Sequence, residues 1–489
     1  MHRWRWLVGV VPGLALAAAG YAVALHVDSA RLLTHTVGVF ATLAELLRHG
    51  VLYPPEPSVD LVYSVFYHPL GFAPYALLPG TGLDLVPGMR VLVGAEVVAC
   101  LLVVAVLARP LGVLRLHPAA WALCTLPVCF SLVGMRDDPR AALLGLLALW
   151  SFGGEHERPP RVWAAAACLT LAFFVKATAP LAPGLALLLA AWRAPGHQRT
   201  ALRLLAACVG LTAAGVVFLQ WGLGCDFLGN GLRYLLVQPA RAPRAWGETF
   251  SALAADLGGM LPGSPQPWDL ALPAIALVSA TAVLARLAQR RADRYDVLVA
   301  AVWLKTVVVY RSWGTDLNHL FDLALFASLH AGRSLAGWLT PVRSLCVLAI
   351  LLGLGQPWRR LLPEPGTPSL AKSPLAAAAA ALRQQEPVPT LCEEPFLGWL
   401  TGSRPLVTDP FLTFAALADH PEIRERWFGP TSDPVAVRRL VLMHDPFADS
   451  PYIEHWYRHL HFDEEFLRLV RTQWRSVIVT DTATVLIRR

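Results

Sequence analysis

A few charged side chains stand between the long apolar runs of this chain, where such groups are unexpected. The carboxylate of Asp28 directly follows the first apolar run, and a carboxylate placed there can act as a general base on a hydroxyl group. The cations of Arg136, Lys176 and Arg311 occupy similar positions and can hold a phosphate through charge-assisted hydrogen bonds. A base, a phosphate clamp and correct positioning are what sugar transfer from a lipid phosphate needs.

Further polar residues border the same apolar runs. They are Tyr67, His68, Asp137, Asp138, Asn318 and Asp322. Polar groups at membrane depth are costly and indicate function by default. In the topology derived below, separate loops bring the charged groups to one membrane face, and the aromatic, Pro-rich segment 62–80 lies over them. We therefore predict a site that a lipid-borne substrate enters sideways from the bilayer.

Each candidate also has a purely structural interpretation. Asp28 can serve as the N-cap of the following helix, and Asp137 and Asp138 can cap the next helix and interact with its dipole. Lys176 can extend its amine to the membrane interface. The convergence of these groups from separate loops favours chemistry over these alternatives.

Two other sets of polar residues are less informative. Asn318 and Asp322 are one helical turn apart and can simply join helices, and Lys305 lies inside an apolar run with no partner evident from the sequence. Four histidines in or near the first outer segment suggest a metal, but they lack the spacing of a ligand set. They are His26, His35, His49 and His68. The residues alone therefore assign no metal site.

The composition indicates a protein that lies mostly in a lipid bilayer. Apolar residues make up 55% of the 489 residues, charged residues make up 15%, and the mean hydropathy is +0.50. Soluble cores stop growing near about 250–300 residues, whereas a bilayer accommodates repeated spans of roughly 20 apolar residues. The net charge of +7 comes from short Arg clusters between apolar runs. That pattern is typical of cytoplasmic loops and does not indicate a nucleic-acid partner.

The apolar runs predict an all-α polytopic protein with about eleven transmembrane helices. The first run, about 6–27, is too long for a signal peptide, so we predict a retained helix. The other ten are about 90–108, 117–135, 139–153, 161–175, 177–192, 203–222, 269–289, 295–311, 318–334 and 342–358. Segment 62–80 is shorter than a span and contains three prolines, which favours an interfacial helix. With a cytoplasmic N-terminus, this topology places every Arg cluster in the cytoplasm.

The predicted domain boundary lies near residue 358. Residues 1–358 form the transmembrane domain, with large outer loops at 28–89 and 223–268. The remainder, 359–489, begins with a linker-like segment and continues with an Ala-rich helix at 375–385 and alternating, strand-like segments. These patterns predict a small α/β domain on the extracytoplasmic side.

Several of these segments resemble motifs of the bacterial GT-C membrane glycosyltransferases related to the protein mannosyltransferase and aminoarabinose transferase group, the RgtA/B/C/D-like set. In that family an acidic residue follows the first helix, as Asp28 does here. A Tyr-Pro-Pro-Leu pattern is similar to Tyr67-His68-Pro69-Leu70, with His in place of one Pro. An Arg-x-Asp motif is similar to Arg136-Asp137-Asp138.

Three later segments extend the resemblance over most of the chain. A Thr-Lys-Gln-Thr pattern is similar to Val175-Lys176-Ala177-Thr178, without the Gln. A Gly-x-x-x-Asn-Tyr-x-x-Glu pattern is similar to Gly314 through Asp322, with Asn318 at the Asn position and His and Asp replacing Tyr and Glu. The tail, with Glu394-Pro395 and Thr408-Asp409-Pro410-Phe411, also resembles tails of this set.

The resemblance implies a multi-pass enzyme of the bacterial inner membrane that moves a sugar from a polyprenyl-phosphate donor. The acceptor, a lipid, a glycan or a protein, is not specified. Asp28 is then the catalytic base, and the substrate-binding candidates are Arg136, Asp138, Lys176, Tyr67, His68, Arg311, Asn318 and Asp322. Some relatives use a divalent metal and others do not, so the resemblance leaves the metal unassigned.

Two other classes of protein stay open at this point. A transporter or lipid flippase predicts a polar pathway near the bilayer midplane and an internal repeat. A non-catalytic scaffold or sensor predicts that the charges at the outer face pair with one another and leave no cavity. A closed salt bridge at Asp28 would favour the scaffold.

Overall fold

The protein is a helical bundle followed by a mixed tail, seen here in a computed structural model. The structure describes residues 17, 20–21, 23–29, 35–54, 58–63, 65, 67–109, 111, 117–123, 125–134, 136–153, 160–193, 197–232, 243–257, 271–312, 317–335, 366–386, 388–400, 406–409, 417–479 and 483–489. Every structural statement below concerns these residues.

Thirteen helices of the described chain precede the tail. They are α1 (His35–Arg48), α2 (Pro69–Ala76), α3 (Val86–Leu107), α4 (His117–Leu123), α5 (Leu126–Gly134), α6 (Asp138–Phe152), α7 (Val162–Val175), α8 (Leu181–Arg193), α9 (Gln198–Val217), α10 (Trp246–Leu257), α11 (Ala271–Ala288), α12 (Arg294–Val309) and α13 (Phe321–Leu335). Ten of them, α3–α9 and α11–α13, fall on nine predicted spans, because α4 and α5 share the span at 117–135. The predicted spans at 6–27 and 342–358 lie partly and wholly outside the described residues.

The predicted span at 117–135 is wrong in one respect, because two short helices occupy it. Helix α4 ends at Leu123, and α5 begins at Leu126. Pro127 follows at once, and a proline cannot continue a preceding helix because its ring excludes the carbonyl four residues back. The hydroxyl of Thr125 donates to the Ala122 carbonyl at 2.6 Å, which satisfies an acceptor at the end of α4.

The first outer segment forms a compact layer. Residues 36–46 of α1 are all buried, so this helix is enclosed by the rest of the protein. Its Glu45 pairs with Arg48 at 3.4 Å and accepts from the Gly82 backbone at 3.2 Å. Helix α2 has eight residues, about 12 Å of helix, which is too short to span a bilayer and agrees with the interfacial prediction for 62–80.

The surface of the bundle has the character of a membrane protein. Three helical stretches are long and apolar enough to cross a bilayer: Gly82–Leu107, Gln198–Gly222 and Ala271–Ala288. Large apolar side chains point outward along them, as Leu102, Leu277 and Leu284 do. Such extensive apolar exposure is unfavourable in water and fits a lipid environment.

The two ends of the bundle differ in charge. Arg193 donates to the Ala292 carbonyl at 3.4 Å, and Arg294 donates to the Gly153 carbonyl, so the ends of α6 and α8 meet the α11–α12 turn. We call this end the arginine face; its described arginines are Arg161, Arg193, Arg199, Arg203, Arg286, Arg290, Arg291, Arg294 and Arg333. The exposed Trp150, Trp163 and Trp192 lie at the same end, as expected for a membrane interface.

The tail folds as a small mixed sheet with helices around it. Strands β1 (Thr390–Cys392), β2 (Arg439–Leu442), β3 (Trp474–Val479) and β4 (Thr484–Arg488) lie in the order β1-β2-β4-β3, and only β1 and β2 are parallel. The helices are α14 (Pro374–Arg383), α15 (Pro395–Leu400), α16 (Pro421–Phe428), α17 (Pro451–His455) and α18 (Glu464–Gln473). The predicted Ala-rich helix and the predicted strands are confirmed.

The tail packs on the first outer segment. Val62 pairs with the tail through its backbone N–H, which donates to the Leu406 carbonyl at 2.7 Å. Trp427 donates its indole N–H to the Val59 carbonyl at 2.8 Å. The Leu370 N–H donates to the Asp28 carbonyl at 2.9 Å. The tail thus covers the segment that carries Asp28.

A buried carboxyl at this contact makes stability depend on pH. Glu394 packs against Gly38 of α1. Burial raises the pKa of Glu394 to about 8; the nearby Glu393 carboxylate adds to this rise, and the hydrogen bond from the Phe396 backbone N–H opposes it. A raised carboxyl pKa means that the folded protein binds the proton more tightly, so stability falls as pH rises from about 4.5 to about 8.

We expect Glu394→Gln to flatten this dependence. The wild type should lose up to about 1.4 kcal/mol of unfolding free energy per pH unit in that window relative to the variant. Thermal unfolding of both proteins in detergent between pH 5 and 9 measures it. Parallel curves for the two proteins would show that Glu394 is ionised throughout.

Candidate functional site

A charged cluster forms where α6 begins and α7 ends. The Lys176 amine donates to Asp138 Oδ1 at 2.5 Å, with 22% and 6% of the two side chains exposed. Asp137, one residue earlier, lies within electrostatic range of Lys176. The sequence folds this way because Pro139 sits in the first turn of α6, which fixes the preceding residues at the helix start.

The start of α13 completes the cluster from the other side. Asp322 in its first turn pairs with Lys305 of α12. His319, in the short 3-10 turn Leu317–Leu320, lies within electrostatic range of Lys176, Asp138 and Arg136. We call Arg136, Asp137, Asp138, Lys176, Lys305, His319 and Asp322 the polar cluster. It joins residues from four separate parts of the chain, and it includes Arg136, Asp138, Lys176 and Asp322 of the predicted site.

The segment that carries Asp28 is anchored to α3 by an arginine that the sequence did not single out. Arg90 of α3 is fully buried and donates to the carbonyls of His26 and Ser29, the latter at 2.6 Å. Its guanidinium lies within electrostatic range of the Asp28 carboxylate. Asp28 itself is exposed, and its carboxylate makes no ion pair within the described chain. Among the residues that the structure describes, no partner closes a salt bridge with Asp28 as a scaffold would require.

A second buried arginine anchors the start of α6 to α3. Arg140, two residues after Asp138, pairs with Glu96 of α3 at 2.6 Å and donates to the carbonyls of Leu70 and Gly71 at 2.7 and 2.8 Å. Glu96 and Arg90 are six residues apart on α3, which is about 9 Å along the helix axis. Helix α3 thus holds the Asp28 segment through Arg90 and the start of α6 through Glu96.

Three of the predicted binding residues lie outside the cluster. His68 is buried among Phe173 and Phe227, and its Nδ1 lies 2.6 Å from the Phe173 carbonyl. Burial lowers the pKa of His68 to about 4, although this hydrogen bond opposes the shift. His68 is thus neutral at pH 7. The Tyr67 ring packs on Phe40 at 4.5 Å.

Arg311 and Asn318 complete the predicted set. The Arg311 guanidinium stacks on the exposed Trp246 ring at 4.4 Å, so it contacts the start of α10. Asn318 lies in the same 3-10 turn as His319, and its side chain is outside the described residues. Tyr67, His68 and Arg311 therefore have local packing partners, and their roles in binding stay predictions.

The structural alternatives fare unevenly. Asp137 is the N-cap of α6 by position, yet its side chain makes no capping hydrogen bond. Lys176 turns to Asp138 and does not extend to an interface. Lys305, which had no evident partner in the sequence, pairs with Asp322. The pairing of these charges with one another is the feature that a scaffold would share.

No group of three or more His, Cys, Asp and Glu side chains in the described chain is arranged to hold a metal ion. His26 and His49, two of the histidines that suggested a metal, lie at the ends of different helices.

Comparison with solved structures defines the class of fold. The chain has the helical membrane fold of the GT-C glycosyltransferases, which the sequence motifs implied. It is similar to ArnT from Cupriavidus metallidurans bound to undecaprenyl phosphate, with a TM-score of 0.60 and 13% identity over 99% of this chain and 98% of that one. The apo state of ArnT gives the same TM-score and identity, over 97% of each chain.

An archaeal protein extends the likeness. The oligosaccharyltransferase of Archaeoglobus fulgidus, solved in complex with zinc and sulfate, matches with a TM-score of 0.52 and 13% identity, over 95% of this chain and 71% of that one. At this level of identity the likenesses show the fold alone. No protein-family model matches the chain, and no curated protein matches its sequence.

Proposed function

We propose that this protein is an integral membrane glycosyltransferase that moves a sugar from a polyprenyl-phosphate donor to an acceptor hydroxyl. The observation that carries the proposal is the fold likeness, over nearly the whole chain, to ArnT bound to undecaprenyl phosphate. It is combined with the polar cluster and with an exposed carboxylate in a segment that is anchored to α3. We propose the predicted orientation as well, with about eleven spans and the polar cluster on the extracytoplasmic side, because the arginine face then lies in the cytoplasm.

Asp28 is the general base in this proposal. Its carboxylate takes the proton of the acceptor hydroxyl while the hydroxyl oxygen bonds to the anomeric carbon of the sugar. The bond between that carbon and the phosphate oxygen breaks, and the electron pair leaves with the polyprenyl phosphate. Support comes from the exposure of Asp28 and its attachment to α3 through Arg90.

Lys176 and Arg136 hold the departing phosphate. An ammonium group has three donors, and Lys176 uses one of them on Asp138. The Lys176–Asp138 pair keeps the amine in place before the donor arrives, so little reorganisation is needed when charge develops on the phosphate. Arg136 lies within range of His319 in the same cluster.

Saturable binding of undecaprenyl phosphate tests this proposal. We expect the purified protein to bind it, and Lys176→Gln to weaken binding by about tenfold or more, because a charge-assisted contact is worth about 1.5–3 kcal/mol. Lys176→Arg should retain most of the affinity. Absence of saturable binding by the folded wild type would contradict the proposal.

Arg90 has a positioning role for Asp28. Arg90→Met removes the donors that hold the His26 and Ser29 carbonyls, so we expect turnover to fall about tenfold to a hundredfold with undecaprenyl phosphate binding unchanged. Turnover per folded molecule and lipid affinity are both measured.

Arg48→Met is the matched control. Arg48 also ties backbone carbonyls together in the first outer segment, including that of Ala76 at 2.9 Å, but no described contact joins it to Asp28. This variant should lose stability and keep its turnover. An equal fall in turnover for both variants would assign Arg90 a general structural role.

A further inference from the structure

A second site lies at the arginine face, far from the polar cluster. An open groove of about 840 Å³ separates the start of α7 from the first half of α9. Small residues on α9, namely Ala206, Ala207 and Gly210, leave room between the two helices. Arg161 and Arg203 line the same groove, together with the exposed ring of Trp163.

The two arginines stand at the same height in the bundle. The hydroxyl oxygens of Thr170 on α7 and Thr212 on α9 are 3.5 Å apart. Further along both helices, Phe174 lies against Gly215, so α7 and α9 run parallel. Arg161 precedes Thr170 by nine residues, and Arg203 precedes Thr212 by nine. The Cα atoms of both arginines therefore lie about 13 Å from this contact along the helix axes, at the arginine-face end of the groove.

Among the described residues, the charged side chains that line the groove are both cations. Both arginines are exposed, and neither guanidinium has a hydrogen-bond or ion-pair partner within the described chain. All other groove-lining residues are uncharged. Two exposed guanidinium groups beside an interfacial Trp match the phosphate level of a bilayer leaflet.

The rest of the groove matches a hydrocarbon chain. The groove extends along α9 as far as Gly210 and Leu211. The neighbouring face of α9 exposes Leu202, Leu205 and Val209. A free anion would leave this apolar surface uncovered. We infer that the groove binds an anionic phospholipid from the leaflet at the arginine face, with its phosphate between Arg161 and Arg203 and an acyl chain along the small residues of α9.

Phosphatidylglycerol binding tests the inference. Purified protein in phosphatidylcholine nanodiscs is titrated with phosphatidylglycerol, and bound lipid is counted by native mass spectrometry. We expect the wild type to prefer phosphatidylglycerol, and Arg161→Gln/Arg203→Gln to bind it about thirtyfold more weakly, which is about fivefold for each arginine. Gly210→Leu should also weaken binding by filling the groove, since a Cβ there meets no atom within 4 Å and the fold has room for it.

Matched controls separate this site from general attraction to charge. Arg290→Gln/Arg291→Gln removes two cations from the same face outside the groove and should change affinity less than twofold. Glycerophosphoglycerol, the headgroup without acyl chains, should not compete at equal concentration. Equal losses in the two double variants, unchanged affinity in the groove variant or competition by the free headgroup would each overturn the inference.

This site is independent of the transfer reaction. The groove variant should still bind undecaprenyl phosphate with wild-type affinity, and Lys176→Gln should keep its preference for phosphatidylglycerol. Loss of both lipids in either variant would place them at one shared site, against the inference.

Discussion

Asp28→Asn is expected to reduce sugar transfer by about 10²–10⁴-fold while the fold and the affinity for undecaprenyl phosphate stay unchanged. The carboxamide has nearly the same size as the carboxylate but cannot accept the acceptor's proton. Because Asp28 is exposed and its carboxylate makes no ion pair within the described chain, the substitution should cost little stability. Turnover of reconstituted protein and its unfolding temperature measure the two quantities.

Asp84→Asn is the matched control for this variant. Asp84 is also an exposed carboxylate of the first outer segment, in the 3-10 turn Gly82–Leu85. Its replacement should leave turnover within about twofold, whereas Asp28→Glu should keep part of the activity because a base is still present. Equal activity of Asp28→Asn and the wild type would mean that another group is the base.

Lys305→Met is expected to destabilise the protein by about 3–5 kcal/mol, because it leaves Asp322 as a buried carboxylate without its partner. The two side chains are only 10% and 11% exposed. Replacing both, as Lys305→Met/Asp322→Leu, should restore most of that loss, since an apolar pair of similar size avoids the desolvation cost. Unfolding in detergent measures both variants.

An exposed ion pair in the tail provides the comparison. Arg426 pairs with Asp433 at 3.1 Å, with 48% and 24% of the side chains exposed, so Arg426→Met should cost little stability, because solvent screens an exposed pair. If Lys305→Met costs no more than this control, the buried pair is not ionised. Transfer by the double variant adds a second result: activity near the wild type would show that Asp322 serves the fold and does not bind the substrate.

The sequence predicted the bundle well because each apolar run must cross a bilayer on its own. Bounds such as 161–175 for Val162–Val175 follow from run length and flanking charge. The break between α4 and α5 was missed because the run is apolar throughout, and only Pro127 signals the interruption. The strands of the tail were found from local alternation, as at Arg439–Leu442.

The polar cluster was predictable in part because charges at membrane depth must find partners. Asp138, Lys176 and Asp322 stand at helix ends, and the structure brings them together. His68 was assigned to the site by resemblance, but its partner is the Phe173 carbonyl, 105 residues away. Backbone acceptors that distant leave no mark in a sequence.

The roles of Arg90 and Arg140 could not be predicted from the sequence either. Arg90 and Arg140 stand inside or beside predicted spans, and such positions alone justified attention. Their roles come from carbonyls of His26, Ser29, Leu70 and Gly71, which only the packed fold brings near. The cover that the tail forms over the Asp28 segment likewise depends on contacts between the two ends of the chain.

Transfer of labelled sugar from polyprenyl phosphate is the most direct test of the proposed activity. Reconstituted wild type and Asp28→Asn are each given a panel of radiolabelled polyprenyl-phosphate sugars and membrane acceptors, and labelled product is measured against released polyprenyl phosphate. We expect transfer by the wild type and almost none by the variant. No transfer by folded wild type with any donor would contradict the assignment as a glycosyltransferase and favour a scaffold or a transporter.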